Sequence, residues 1–207
     1  MWKREAQARF RMAVTPHYAS LVRHQDFSDP VFAQCVPAPG ELLEAPFATL
    51  DPLGEKPASP VPRLVRRYGD RAVLLASSDC ACYCRHCFRK RVSGGGEPPV
   101  SARQLEDVAA WLRRNPEVDD VLVSGGDPLL LSDARVSAVL RVLSSVPGVR
   151  VVRIATRTPG THILRIQVCG NRRAHGEGEQ KRNADDWQDR GGDKKDGVHC
   201  TSSAGMR

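Results

Sequence analysis

Between residues 72 and 154 short apolar runs alternate with stretches whose apolar side chains recur at helical spacing, and this alternation confines the chain to an α/β fold on a parallel sheet. Ala72-Val73-Leu74-Leu75-Ala76 has the composition of a buried strand. Ser101 and Gln104 then form a capping box, each side chain placed to satisfy a free N–H of the other, and Leu105, Val108, Ala109 and Leu112 follow on one helical face. Asn115-Pro116 stops that helix, Val121-Leu122-Val123 is a second strand, and Ser124-Gly125-Gly126-Asp127-Pro128 turns out of it. A second helix begins near Ser132-Asp133, turns Val136, Val139, Leu140 and Leu143 inward and ends at Pro147-Gly148; residues 149–154 are the third strand. The order β, α, β, α, β requires right-handed crossovers, in an open sheet or a barrel.

The flanks lack this pattern. Residues 1–71 form an irregular, proline-rich segment in which Pro30, Pro37, Pro39, Pro46, Pro52, Pro57, Pro60 and Pro62 interrupt any helical period. It is expected to wrap around the core formed by residues 72–160, with a short helix near Tyr18–Gln25. Residues 161–207 carry neither helical nor strand period and too few apolar side chains to offset the entropy of ordering, so a disordered tail is expected.

Composition narrows the function classes. With 41% hydrophobic and 27% charged residues in 207, the chain suits one medium-sized domain, and no apolar run approaches the roughly 18–20 residues of a membrane span. The basic start MWKREAQARFRM has no apolar stretch or cleavage site behind it, so a cytoplasmic protein is expected. The net charge of +7 invites a nucleic-acid reading, but the basic residues are dispersed and aromatics make up only 5%, which disfavours stacking on bases.

In a reducing compartment, clustered cysteines point to a metal or cofactor rather than to disulfides, and four of the seven cysteines fall within residues 80–87. Cys80, Cys84 and Cys87 form a Cys-x-x-x-Cys-x-x-Cys array directly after the first strand; three such thiolates can each hold one corner of a 4Fe-4S cluster and leave the fourth iron open. Zinc is the alternative, with Cys82, His86 or a distant Cys35, Cys169 or Cys200 as fourth ligand.

The segments CACYCRHCFRKR, VLVSGGDPLLLSD and VVRIATRTP, in that order, resemble the radical S-adenosylmethionine (SAM) enzymes of the lysine 2,3-aminomutase family. The likeness continues upstream through TPHYASLV, DPVFAQCVP, DPLGE and SPVPRLVRRYGDR, and covers roughly residues 12–160. It implies an incomplete radical SAM partial βα barrel of about three βα units, with a 4Fe-4S cluster, SAM and pyridoxal 5'-phosphate (PLP) as cofactors. It implies Cys80, Cys84 and Cys87 as cluster ligands, with Cys82 excluded, and places Ser124, Gly125, Gly126, Asp127 and Arg157 at the SAM site. Arg67, Tyr68 and Arg71 match positions that hold the PLP phosphate, and Arg89 matches the arginine that pairs with the substrate carboxylate. The implied partners are a small amino acid, lysine foremost, an electron donor such as flavodoxin or ferredoxin, and a second copy of the chain; the branch acting with elongation factor P and a glutamate-acting relative fit the same motifs. A zinc-binding or nucleic-acid-binding module is the reading from another class. No family motif is recognisable after about Pro159, and Lys181, Lys194 and Lys195 match none, so no catalytic residue is carried over. A frameshift near residues 160–166 is the expected origin of the tail, with full mutase activity lost.

Overall fold

The computed structural model describes residues 9–43, 49–90 and 92–161, together with Ala6 and Pro46. The expected disorder of the tail concerns residues that, beyond Thr161, lie outside this range. Three strands run parallel: β2 (Arg71–Ser77), β3 (Asp120–Gly125) and β4 (Val151–Ile154). The crossover helices α3 (Ala102–Arg114) and α4 (Asp133–Ser144) join them. Strand β1 (Leu64–Val65) pairs antiparallel with β2, completing a mixed four-stranded sheet of order β1-β2-β3-β4.

Period-two burial decides which face is covered. Ala72, Leu74 and Ala76 of β2 and Val121 and Val123 of β3 share one core with Leu105, Val108, Ala109 and Leu112 of α3 and Val139 and Leu143 of α4. Both helices therefore lie on the same face of the sheet, as consecutive right-handed crossovers in one direction require. The alternate residues Val73, Leu75 and Leu122 are half-buried. Each fully buried Leu or Val in this core contributes roughly 1.5–3 kcal/mol. The cap that starts α3 closes as the sequence requires: Gln104 N donates to Ser101 Oγ at 3.2 Å and Ser101 N to Gln104 Oε1 at 2.9 Å. Strand β4 pairs with β3 alone among the described residues and leaves Val151 45% and Ile154 37% exposed.

The segment before β2 departs from the expected irregularity. It holds α1 (Pro16–Ser20), α2 (Pro30–Cys35), a single 3₁₀ turn (Pro39–Leu42) and β1. Pro16, Pro30 and Pro39 each open a helix, a position where the missing N–H has no intrahelical partner anyway. Thr15 and Asp29 cap α1 and α2 from the residue before. The helix expected over Tyr18–Gln25 starts two residues earlier and ends at Ser20.

Past β4, the short helix α5 (Thr158–Thr161) buries Thr158 fully, and Thr158 Oγ1 is the one fully buried side-chain oxygen among the described residues without a hydrogen-bond partner. An unpaired hydroxyl carries its desolvation penalty with no return. Thr158→Val is therefore expected to leave the urea midpoint unchanged or to raise stability by about 1 kcal/mol. A loss of that size would instead show that the hydroxyl finds a partner in solution.

Candidate metal centre

The cysteine loop leaves the carboxyl end of β2 and is strung between the sheet and the N-terminal segment. Tyr83 N donates to Ala13 O at 3.1 Å, Arg85 N to Gln34 O at 2.9 Å, and Gly94 N to Ser78 O at 2.9 Å. Cys80, Cys84 and Cys87 are half-buried, whereas Cys82 packs with Tyr18 and Cys35 against Val14, Val31 and Val36. The buried thiol of Cys35 donates to Val31 O and Phe32 O of its own helix. Cys82 and Cys35, weighed from sequence as fourth zinc ligands, are both buried in this small cluster, while Cys169 and Cys200 lie outside the described residues.

Cys80 and Cys84 sit in different fields. Burial pushes Cys80 up to about 12, with the Asp127 carboxylate adding to the shift. Cys84 is lowered to about 6, first by the hydrogen bond from the Cys82 thiol and then, against the opposing effect of burial, by the Arg157 guanidinium. Metal binding requires thiolates, so a metal at Cys80 would have to draw its proton against the effect of burial.

Three basic residues of the loop meet carboxylates from the N-terminal segment. Glu41 accepts from Arg85 Nη2 at 2.6 Å and Lys90 Nζ at 2.8 Å, and Phe10 lies 5.3 Å and 5.2 Å from the same two cations. Glu55 accepts from Arg89 Nη2 at 2.6 Å and Nε at 3.0 Å, in a pair whose side chains are 7% and 10% exposed. Arg89 Nη1 donates in turn to Ser124 Oγ at 3.3 Å, tying the loop to the end of β3. Neither carboxylate stood out in the sequence, because a lone glutamate carries no local sign of the arginine it will meet some forty residues on.

Burial works to raise the Glu41 carboxyl, but the donors Arg85, Lys90 and the Ala38 N–H outweigh it and hold the group at about 2 instead of 4.5. Its contribution to stability is thus complete above pH 4.5 and is lost as the pH falls through 2. The gap in urea midpoint between the wild-type chain and Glu41→Gln is expected to be widest near neutral pH and to close across that window. A gap unchanged down to pH 2.5 would refute the assignment.

The glycine turn that ends β3 packs against the root of the cysteine loop. Its close approach is to the chain's own backbone: a Cβ on Gly125 would stand 2.3 Å from Ser77 O, and one on Gly126 2.2 Å from Asp79 O. Gly126 N donates to Ser77 O at 2.6 Å and Asp127 N to Asp79 O at 2.7 Å, which prolongs the β2–β3 pairing into the root of the cysteine loop. Asp127 is buried, and its carboxylate accepts from Leu129 N, Thr156 Oγ1, Arg157 N and Thr158 N, bracketing the end of β3 to the end of β4. Arg157 donates through Nη1 to Cys84 Sγ, and through Nη2 to Tyr18 Oη at 3.2 Å and Gln34 Oε1 at 3.0 Å.

Ser124, Asp127, Arg89 and Arg157 therefore converge with the cysteines at the carboxyl ends of the parallel strands, where such folds gather their ligands. Arg67, Tyr68 and Arg71 do not. Arg71 opens β2, one strand length of about 20 Å from its far end, and all three side chains are exposed, with Arg71 paired to Asp70 at 2.7 Å.

Among the described residues no three His, Cys, Asp or Glu side chains converge closely enough to hold a single metal ion. A 4Fe-4S cluster does not need them to, because each thiolate takes a different iron. Three free, half-buried thiols on one loop, with the Arg157 guanidinium beside Cys84, suit that group.

Sequence comparison agrees. Residues 65–159, which hold the four-stranded sheet but for Leu64 together with its two crossover helices, match the family described as the 4Fe-4S single cluster domain. The L-lysine 2,3-aminomutase of Acetoanaerobium sticklandii is 43% identical over 142 residues, 69% of this chain and 34% of that protein. That of Bacillus subtilis is 42% identical over 139 residues, 67% of this chain and 30% of its own length. The glutamate 2,3-aminomutase of Clostridioides difficile is 38% identical over 149 residues, 72% and 35%. Over this shared length the chain is similar to L-lysine 2,3-aminomutases, and the match to a 4Fe-4S domain goes with that likeness. It spans about a third of the length of the curated relatives it matches. No helix among the described residues is long and apolar enough to cross a membrane.

Proposed function

We propose that this chain binds a 4Fe-4S cluster through Cys80, Cys84 and Cys87 and SAM beside it, and that it serves the 2,3-amino migration of a small α-amino acid, lysine foremost. The observation that carries this is the meeting of a three-thiol loop with Ser124, Asp127, Arg89 and Arg157 at one end of the parallel sheet. When bound, the reduced cluster and SAM supply a 5′-deoxyadenosyl radical that removes hydrogen from the substrate, and PLP carries the migrating amino group.

The chain's own contribution is placement. Asp127 ties the turn after β4 to the end of β3, which would hold in place the backbone beside a bound cluster and SAM. Glu55 holds the Nε and Nη2 edge of Arg89, which leaves Nη1, on the Ser124 side, as the donor for a substrate carboxylate. Arg67, Tyr68 and Arg71 stand one strand length from the cysteine loop, too far for a PLP phosphate held there to place an amino group beside SAM, and they are left out of the proposed PLP site. A low-potential ferredoxin or flavodoxin would be the electron source.

The test is anaerobic reconstitution with iron and sulfide, followed by dithionite and SAM, with 5′-deoxyadenosine measured in the presence of L-lysine or L-glutamate. Brown protein that releases 5′-deoxyadenosine supports the reading, and the amino acid that speeds release names the substrate. Colourless protein holding one zinc per chain would overturn it.

A further inference from the structure

We infer that Arg157 sets the reduction potential of a cluster held on Cys84, an inference that rests on the cluster reading above. Arg157 is held through its backbone and through both terminal nitrogens of its guanidinium. Its backbone N–H is held by the buried Asp127 at 2.7 Å, its Nη2 by Tyr18 Oη and Gln34 Oε1, and its Nη1 donates to the Cys84 sulfur. Tyr18, itself 7% exposed, donates to the same Gln34 oxygen at 3.2 Å and lies under the guanidinium, 5.9 Å from its carbon to the ring centre. The arrangement joins three parts of the chain distant in sequence: helices α1 and α2, the cysteine loop and the turn after β4.

Tyr18 and Gln34 lie outside residues 65–159, so the grip on this cation is supplied by the wrapping segment and not by the iron-sulfur domain match. Reduction adds one electron from an external donor to the cluster and makes its net charge more negative by one; no bond forms or breaks. A fixed cation donating to a ligand sulfur stabilises the reduced form more than the oxidised one, and hydrogen bonds to the sulfurs and net charge are among the features that set such potentials. Arg157 therefore raises the potential and eases the entry of the electron. It acts on the iron through Cys84 and is a positioning residue.

The experiment is a dye-mediated redox titration of the full-length reconstituted chain without SAM, read by the electron paramagnetic resonance signal of the reduced cluster. Arg157→Gln is expected to move the midpoint to lower potential at unchanged iron content, Arg157→Lys to fall between it and wild type, and Tyr18→Phe to give a smaller shift of the same sign. Should Arg157→Gln fail to fold, the Tyr18→Phe shift still decides. Midpoints equal to wild type in cluster-loaded variants would overturn the inference, as would a shift that appears only when SAM is added, since the cation would then act on SAM. If the wild-type chain takes up zinc and no cluster, the cluster reading itself falls, and that outcome is distinct from both.

Discussion

Alanine at any one of Cys80, Cys84 or Cys87 will reduce iron retained after anaerobic reconstitution and gel filtration by more than the roughly 10- to 100-fold typical when only an outer-shell partner of a metal ligand is lost. Alanine at Cys82 will leave the iron content intact. The contrast is sharp because the four thiols share one loop of eight residues and differ chiefly in where they point. Cys82 is 4% exposed among Tyr18, Cys35 and the valines of the N-terminal segment, so its loss leaves a small apolar cavity and a destabilisation of about 1 kcal/mol. The other three are half-buried at the rim of the sheet and lack such packing. Iron measured by ferrozine together with the charge-transfer absorbance of the four variants decides the matter. Equal loss of iron in Cys82→Ala would place the ligands on alternate residues of an extended loop and undo the assignment of Cys87.

The iron measurement also separates what was legible in the sequence from what was not. The two crossover helices and three parallel strands were readable because each announces itself locally: a capping box at Ser101, apolar positions at helical spacing, short β-branched runs between turns. Strand β1 was not. It is two residues long, follows a run of prolines and depends on pairing with β2, entered by a turn in which Arg63 adopts a φ of 73° normally left to glycine or asparagine. Alternation alone left the facing of Cys82 open, since Cys80, Cys82 and Cys84 occupy same-parity positions in an extended loop. The packing of α1 and α2 is what turns one of them inward. The carboxylates at Glu41 and Glu55, and the reach of Arg157 to Cys84, arise from contacts across 34 to 73 residues, for which a single sequence carries no pattern.

Alanine at Gly125 or Gly126 will damage the chain as badly as loss of a ligand, though by a different route. At Gly125 the backbone holds φ at 111°, a region that L side chains rarely enter, and a Cβ would meet Ser77 O at 2.3 Å. Strain of about 1–3 kcal/mol for the dihedral and a similar amount for overpacking put the expected destabilisation near 3 kcal/mol or more. At Gly126 only the clash operates, but it is against the backbone of Ser78 and Asp79, with Asp79 O at 2.2 Å and Asp79 N at 2.7 Å, and backbone cannot swing away as a side chain can. Relief requires the β3 turn and the residues leading into Cys80 to separate, which breaks the hydrogen bonds from Gly126 N and Asp127 N that join them. The damage should therefore be directional. Gly126→Ala is expected to lose iron retention at urea concentrations where α3 and α4 still give full helical circular dichroism, because their core lies on the helix-covered face of the sheet, among side chains the turn does not include. Coincident loss of iron and helix signal would instead make the turn part of the cooperative core. The two glycines would then act through global stability and not through the placement of the cysteine loop.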